Sequence, residues 1–495
     1  MKTKLIIAMA AITTSITAAN PFMKPFKTEH GTFPFNTIKT EHYMPAFREA
    51  IRQHNAEIAH ITDNPDTPTF DNTIVALEQS GQMLSLVEGA FFNLTHADTN
   101  ERLQQIELEV SPLLTEHGNS IQLNTQLFQR IKYVYEHKSE YNLTPEQAKL
   151  LQDTYDSFAD NGATLDDKQK ETYDQLTTRL EELTLRFGQN ALKATNAWKK
   201  HITDESLLDG LPDGAKQALA ENAQKEGLDG WLITLKPTSV VPILKNCHNR
   251  TLRQEVWMAN NAKCIGGEYD NTQNIIDIVN TRLAIANLLG HKTYADYVLH
   301  KRMAKNCDNV YSLLKQLKDA YMPAAQKELD QLQQYAADHG LIGQLMPWDW
   351  SYYSEQYKNK FYNLDDEMLR PYFELEHVKK GVFGLAGKLY GLTFTKNKKI
   401  SVYNPEVEAF DVTNENGEYI GVLYTDFHPR EGKRGGAWMN NMQEQYTIND
   451  VDHRPHIVIV MNFTRPTADR PALLTYDEVE TFLHEFGHAL HGLLS

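Results

Sequence analysis

The most informative pattern in this chain lies in the stretch TFLHEFGHALHGLLS, residues 481–495. Within it His484 and His488 are four residues apart, and Glu485 follows the first histidine. Residues four apart on an α-helix lie on one face, separated by about one turn, or roughly 6 Å, along the axis. Two imidazoles placed in this way can converge on one metal ion. The stretch therefore predicts a helix with a metal-binding face.

The residues just before this stretch predict where the helix begins. Thr475-Tyr476-Asp477-Glu478 fits the capping-box pattern, in which the threonine accepts from an early backbone N–H and the glutamate reaches back to the cap. Asp477 and Glu478 also fall in the first turn, where negative charge suits the helix dipole. We expect one helix from this cap through the two histidines.

The HExxH pattern on such a helix indicates a zinc peptidase. His484 and His488 would each bond one Zn²⁺ at about 2.0–2.1 Å. Glu485 points to the adjoining face, where it can take a proton from water and pass it to the leaving amine. The competing interpretation is a surface histidine pair on an amphipathic helix. The predicted cap, the interspersed apolar residues and the preceding strand favour one zinc ion per chain.

A catalytic zinc needs a third protein ligand in addition to water. Glu480 and His491 lie on nearly the same face, but about 12 Å and 10 Å along the axis from the farther histidine. The pattern HExxHxxGxxH would require glycine at 491 and histidine at 494, whereas the chain has His491 and Leu494. The chain therefore does not belong to the class of zinc peptidases that this longer pattern defines. We expect the third ligand, a glutamate from a following helix, beyond Ser495.

Upstream, the chain is expected to be mainly α-helical with a small β-sheet. Tyr173, Leu176, Leu180, Leu183 and Phe187 recur at steps of three and four, which predicts one helical stripe. From about residue 396, β-branched and aromatic runs appear, divided by the turn signal NENG at 414–417. HIVIVMNF, 456–463, is a further strand candidate, and the glycine-rich GKRGGAWMNN, 432–441, is predicted to be a loop.

Composition excludes several classes of function. The chain has 495 residues, of which 41% are hydrophobic, so it can bury a core. Its 49 basic and 65 acidic residues give a net charge of −16, which disfavours binding to nucleic acid or to anionic membrane surfaces. The three cysteines contain no CxxC pair, which argues against a cysteine zinc site or a disulfide framework.

The N-terminus has the parts of a secretory signal peptide. Lys2 and Lys4 precede the short apolar run 5–12, and small residues lead to a cleavage position before Asn20. We predict a signal peptide at 1–19 and an exported, periplasmic protein with no membrane anchor. The alternative is a cytosolic protein with an apolar start.

Several segments together resemble the M3 family of zinc oligopeptidases, and most closely its bacterial peptidyl-dipeptidases. HEFGHALHGLLS, 484–495, matches the family's zinc helix. HPREGKRGGAWM, 428–439, matches its substrate-strand region, and NFTRP, 462–466, leads to the zinc helix. NPFMKPF, 20–26, and RMAKNCDNVYSLLKQL, 302–317, are also similar. The resemblance covers essentially the whole chain after the signal.

This resemblance implies a fold and a division of the chain. It implies a mostly helical, two-lobed zincin of the neurolysin type with zinc at the floor of a deep channel. We assign 20–236 to a helical N-terminal region and 237–495 to a catalytic M3 domain that is incomplete at its C-terminus. Gly436 and Ala437 would bind substrate, because small residues let a peptide backbone pair with the strand. The alternative for these two residues is an ordinary glycine turn.

The resemblance also implies an activity on short peptides. The expected protein is a monomeric zinc metallopeptidase that releases dipeptides from the free C-terminus of oligopeptides. An oligopeptidase A-like endopeptidase is the alternative within the same chemistry. Since the third ligand is expected beyond Ser495, this 495-residue chain is expected to be inactive alone. If the protein ends at that residue, a non-catalytic truncated remnant is the remaining alternative.

Overall fold

A computed structural model describes residues 20–363, 366–448 and 451–495. The predicted signal peptide, 1–19, lies outside the described residues. Helices make up most of the described chain, and a five-stranded sheet is the largest β-structure in it. The predicted fold class, mainly α with a small β-sheet, is confirmed.

The secondary structure is numbered in chain order. The longer α-helices are α1 Thr40–Thr62, α2 Gln82–Ala97, α3 Glu101–Gln122, α4 Thr125–Glu136, α5 Pro145–Phe158, α6 Asp167–Ala197, α7 Asp213–Lys225, α8 Pro237–Asn246, α9 Arg250–Asn261, α10 Thr272–Leu288, α11 Tyr294–Leu299, α12 Cys307–Asp338, α13 Pro347–Tyr362, α14 Leu375–Tyr390 and α15 Tyr476–Leu494. The strands are β1 Lys199–Ile202, β2 Trp231–Thr234, β3 Thr393–Lys396, β4 Glu408–Thr413, β5 Tyr419–Asp426, β6 Trp438–Gln443, β7 Tyr446–Ile448, β8 Val451–His453 and β9 His456–Val460.

The region 20–236 is mostly helical, as its sequence predicts. The stripe that begins at Tyr173 lies on α6, where Tyr173 and Leu183 are buried and Phe187 is 40% exposed. The sequence analysis missed the antiparallel pair β1–β2, whose register joins Ile202 to Trp231. Each of these strands has only four residues, too few for alternation to distinguish them from a turn.

The main sheet has the strand order β3-β4-β5-β9-β6. Strands β4 and β5 form a hairpin across the predicted NENG turn, in which the Gly417 N–H donates to Asn414 O at 3.0 Å. Gly417 has φ +79°, a conformation that favours glycine. The predicted strand at 456–463 is confirmed as β9 over His456–Val460, which runs parallel to β5 and antiparallel to β6.

The prediction of a loop at 432–441 is wrong in its second half. Trp438 begins β6, which pairs with β9 from Trp438↔Val460 to Gln443↔His456 and forms one edge of the sheet. Gly435 and Gly436 make the whole segment look like a loop, but they lie just before the first residue that pairs with β9. Trp438–Gln443 satisfies its backbone groups by pairing with a strand that is distant in sequence, and local composition does not show such pairing.

The two faces of the sheet pack against different parts of the chain. Val458 and Val460 of β9 join a core cluster that contains residues of α1 and α2. Ile457 and Ile459, which point the other way, join a cluster that contains residues of α14 and α15. All four side chains are fully buried. The strand-period alternation thus places the sheet between the N-terminal helices and the HEFGH helix.

A second apolar stripe, with residues at steps of three and four, lies on α12 and is largely exposed. Leu313, Leu317 and Tyr321 are 57%, 42% and 67% exposed. The described part of the chain does not cover this face of α12. None of the described helices is long and apolar enough to span a membrane. The three cysteines are unpaired.

Candidate active site

The HEFGH helix begins with the predicted capping box. The Glu478 N–H donates to Thr475 Oγ1 at 3.1 Å, and the Thr475 N–H donates to Glu478 Oε2 at 2.8 Å. Glu478 Oε1 also accepts from the backbone N–H and the hydroxyl of Thr464, at 2.6 and 3.0 Å. Burial raises the pKa of this carboxyl, against the effect of its hydrogen bonds. The cap thus ties the preceding loop to the start of α15.

The rest of α15 is fixed by its apolar face. Phe482, Phe486, Ala489 and Leu493 follow one another at steps of four, three and four, and all are buried. They pack in the cluster that includes β9, and the helix contacts β5, β6 and β9. Burying a residue of this size contributes about 1.5–3 kcal/mol. The sheet therefore sets which face of α15 points to solvent.

That outward face presents the histidine pair. The Nε2 atoms of His484 and His488 lie 3.2 Å apart, and both residues are exposed. Two nitrogens that each bond one zinc ion at about 2.0–2.1 Å can be at most about 4.2 Å apart. The observed separation satisfies this limit, and imidazole nitrogen is a preferred zinc donor. The pair fits a zinc ion.

Glu485 lies between the two histidines in sequence but in a different environment. It is only 7% exposed, at the margin of the helix face that packs on the sheet. Its carboxylate forms no hydrogen bond or ion pair with the described residues. A sheltered carboxylate with open lone pairs is suited to accept a proton from a water molecule at the histidine face.

The structure does not bring a third ligand to the pair. Among the described residues, the single group of three ligand atoms within 4.8 Å of one another is Glu29, His30 and Asp411, which lies elsewhere. Glu480 and His491 stay outside such a group, as the helix geometry predicts. The described part of the chain therefore supplies two imidazoles and one neighbouring carboxylate.

Gly436 and Ala437 lie immediately before the edge strand β6. Gly436 is exposed and has φ +97°, and a Cβ there would meet no atom within 4 Å. Ala437 packs against the cluster that contains α15. The Asn462 side-chain amide donates to Gly436 O at 2.7 Å and fixes this turn to the chain that follows β9. Farther along the edge, Met442 O lies against Gly89 of α2, so the glycine end is the less covered one.

A buried ion network, missed by the sequence analysis, holds this glycine loop. Asp426 and Lys433 have fully buried side chains, with Lys433 Nζ 2.7 Å from Asp426 Oδ1. Lys433 also donates to His428 O and Met461 O, at 2.7 and 2.8 Å. Burial lowers the pKa of Lys433 to about 8, although Asp426 favours the charged form. One feature of the sequence could have indicated this network: Asp426 is a carboxylate at the end of the apolar run YIGVLYTD.

Arg430 extends the network to the N-terminal helices. Its guanidinium donates to Asp426 at 2.9 and 2.5 Å and to Asp98 at 2.8 Å. Two backbone bonds accompany it: Thr99 N–H to Gly432 O at 2.7 Å and Arg434 N–H to His96 O at 2.9 Å. The loop before β6 is therefore anchored on the sheet and on the end of α2 together.

Comparison with known proteins identifies the family to which this arrangement belongs. The model of peptidase family M3 matches residues 243–495, which include the loop, the sheet and α15. The chain belongs to peptidase family M3. This M3 peptidase is thus a member of a metallopeptidase family, as the resemblance implied.

Curated relatives of this M3 peptidase extend over almost its whole length. It is 36% identical to the dipeptidyl carboxypeptidase of Escherichia coli (strain K12) over 483 residues, which cover 97% of this chain and 71% of the relative. It is 32% identical to oligopeptidase A of the same organism over 482 residues, covering 96% and 70%. A solved PZ peptidase A with an inhibitor is 14% identical, with a TM-score of 0.46, and is matched over 93% of this chain and 64% of its own.

Proposed function

We propose that this M3 peptidase is a zinc metallopeptidase that releases dipeptides from the free C-terminus of oligopeptides. The observation that carries the proposal is the 3.2 Å separation of His484 and His488 Nε2 on the exposed face of α15, with Glu485 beside them. The 36% identity to a dipeptidyl carboxypeptidase supports the choice of product. Oligopeptides are the proposed substrates, and the net charge of −16 disfavours nucleic acid.

In this proposal the two histidines hold the metal and the other residues act on the substrate. Zinc bound there would polarise the scissile carbonyl and make water a better nucleophile. Glu485 accepts a proton from the attacking water and returns it to the leaving amine. The edge strand β6 can pair with the backbone of an extended peptide, and the small residues Gly436 and Ala437 just before it allow close approach.

An oligopeptidase A-like endopeptidase is the second candidate, favoured by the 32% identity to that enzyme. The two activities differ in whether cleavage needs a free terminal carboxylate. The test compares one N-blocked octapeptide with its C-terminally amidated form, with products followed by mass spectrometry. A dipeptidyl carboxypeptidase should release dipeptides from the free acid and lose most of its rate on the amide. Equal internal cleavage of both peptides would favour the endopeptidase.

The same assay needs a variant that separates catalysis from contamination. Glu485→Gln keeps the size of the side chain but removes its ability to take a proton. We expect its rate to fall by about 10²–10⁴-fold with bound zinc retained. Hydrolysis that is unchanged by Glu485→Gln would reject the proposed role of this residue.

We also propose that the protein is exported to the periplasm and acts as a monomer. The basic and apolar segments within 1–19 support export. N-terminal sequencing of the mature protein from its source should begin at Asn20, and sedimentation should give the mass of one chain. An intact Met1 in the mature protein would argue against export.

A further inference from the structure

A cavity of about 650 Å³ lies at the N-terminal end of α15. Thr475 and Asp477 form part of its wall, together with residues of α7, α8 and the loop 464–471. His484 is nine residues farther along α15, or about 14 Å along the axis. Asp477, also in the wall, is seven residues from His484, or about 10 Å along the axis. The cavity thus does not include the histidine pair, although Arg430 and Glu431 of the loop before β6 also line it.

The charge on the wall of the cavity differs from that of the whole protein. Eight basic and six acidic side chains line it, in a chain whose net charge is −16. Most of these carboxylates already have a partner: Glu226 with Lys199 at 2.7 Å, Glu367 with Arg370 at 2.6 Å, Glu355 with Lys358 at 2.9 Å, Asp477 with Lys245 at 3.7 Å, and Glu221 with the Ala468 N–H at 3.1 Å. The same pairs engage Lys199, Lys245 and Arg370, and the arginines Arg430, Arg465 and Arg470 pair with carboxylates outside the wall. Among the described residues of the wall, this leaves two cations, Lys225 and Lys236, and one carboxylate, Glu431, whose charged groups have neither an ion pair nor a hydrogen bond.

Lys236 differs from the paired cations of the cavity wall in its surroundings. It is half-buried in the cavity wall, and its ammonium forms no hydrogen bond or ion pair with the described residues. Burial lowers its pKa to about 8, and the Glu431 carboxylate opposes that effect only in part. A cation withdrawn from water without a direct partner is unfavourable unless an anion compensates it.

The position of Lys236 adds a second source of positive potential. It is the N-cap residue of the ten-residue helix α8, and no side chain caps that helix. Thr238, in the first turn, also lines the cavity. Pro237 has no N–H, and the N–H groups of Lys236 and Ser239 are already bonded, to Thr234 Oγ1 and to Lys236 O. The Thr238 N–H is therefore the open donor of the first turn, and it favours negative charge in the same direction as the ammonium.

Besides its charged residues and several threonines and asparagines, the wall has an apolar part. Pro212, Leu232, Val241 and Leu473 form it along with further prolines. A volume of this size suits a small organic molecule rather than a lone ion. We propose that the cavity binds a small organic anion, with a carboxylate or phosphate group at Lys236 and the start of α8 and an apolar body against these residues.

The proposal is tested by calorimetric titration of the whole protein with three probes. N-acetyl-leucine carries a carboxylate on an apolar body, N-acetyl-leucinamide is its neutral counterpart, and phenyl phosphate carries the other anionic group. We expect the two anions to bind and the amide to bind at least tenfold more weakly. The ratio of the two anion affinities distinguishes a carboxylate site from a phosphate site.

Variants assign the binding to Lys236. Lys236→Met should weaken both anions at least tenfold, and Lys236→Arg should retain most of the affinity. Lys168→Met, which removes the same charge from an exposed position on α6, is the matched control and should bind like the unaltered protein. Absence of binding by the unaltered protein, or equal binding by Lys236→Met, would overturn the proposal. Because the titration needs no turnover and no zinc, its outcome is independent of the proposed peptidase activity.

Discussion

The Nε2 atoms of His484 and His488 lie 3.2 Å apart on the solvent side of α15. Glu485, one residue after the first histidine, is buried to 7% exposure at the margin of the opposite face. One helix therefore exposes two imidazole nitrogens that can bind a metal ion, and it holds a carboxylate in a sheltered position beside them. The sheet fixes this division, because Phe482 and Phe486 can be buried only with the histidines outward.

Removal of one of the two histidines should abolish tight zinc binding. His488→Ala should lower zinc affinity by more than the roughly 10–100-fold that the loss of an outer-shell partner costs. Zinc bound at equilibrium, measured by competition with a chelating dye, tests this. His491→Ala, on the same helix and equally exposed, is the control and should leave zinc affinity unchanged. Equal losses in both variants would contradict the assignment of the ligands.

The turn before β6 should require glycine at one position but not at its neighbour. Gly436 has φ +97°, where an L-residue is strained by at least about 1 kcal/mol. Gly436→Ala should therefore lower the free energy of unfolding by about that amount. Gly435→Ala is the matched control, because Gly435 has no positive φ and a Cβ there meets nothing within 4 Å. Thermal or urea denaturation of both variants gives the comparison, and equal stabilities would show that the turn relaxes.

The local structure of α15 could be predicted from the sequence. The capping box at Thr475 and Glu478 and the shared face of the histidines depend on residues within one or two turns, so spacing alone predicts them. The partners of Glu478 across the loop could not be predicted in this way. Thr464 is fourteen residues away, and only the folded loop brings its N–H to the carboxylate.

The edge strand β6 and the buried ion network could not be predicted from the sequence. Trp438–Gln443 is extended because β9 offers it a ladder, which no property of the segment itself reveals. Lys433, in a polar loop, and Asp426, at the end of β5, look like surface charges, yet both are fully buried because each neutralises the other. Burial of charge depends on tertiary pairing, and sequence patterns of polarity predict the opposite.

Lys433→Met should be strongly destabilising. It leaves Asp426 buried with Arg430 as its remaining cation, and breaking a buried pair costs about 3–5 kcal/mol. Lys199→Met removes a partly exposed ion pair and should cost at most about 1 kcal/mol. Urea denaturation measures both. The double variant Asp426→Asn, Lys433→Met should be less destabilised than the sum of its single changes, and strict additivity would show that the two charges do not stabilise each other.

Glu478→Ala should destabilise the start of α15. The substitution removes the acceptor for the Thr475 N–H and for two groups of Thr464, which leaves partly buried donors unpaired at about 1–3 kcal/mol. Glu480→Ala, two residues on and exposed, should stay within about 0.5 kcal/mol of the unaltered protein. Hydrogen exchange should also show faster opening of the first turn in Glu478→Ala alone. Equal stability of the two variants would reject the structural role of the cap.

His456 should make the fold sensitive to acid. The residue is 1% exposed at the start of β9, and burial, followed by the nearby His30, lowers its pKa from 6.5 to about 4. As the pH falls, the unfolded chain takes up a proton at this histidine before the folded protein does. The contribution of His456 to the free energy of unfolding is therefore fully present above about pH 6.5. It is lost as the pH falls toward 4, by up to about 3 kcal/mol. Urea denaturation between pH 7 and 4 should show a smaller loss for His456→Gln than for the unaltered protein. Burial also lowers the pKa of His96 to about 4, so both proteins should lose some stability and the difference between them isolates His456. His491→Gln, altered at an exposed histidine, should follow the unaltered curve, and a His456→Gln curve that does the same would disprove the coupling.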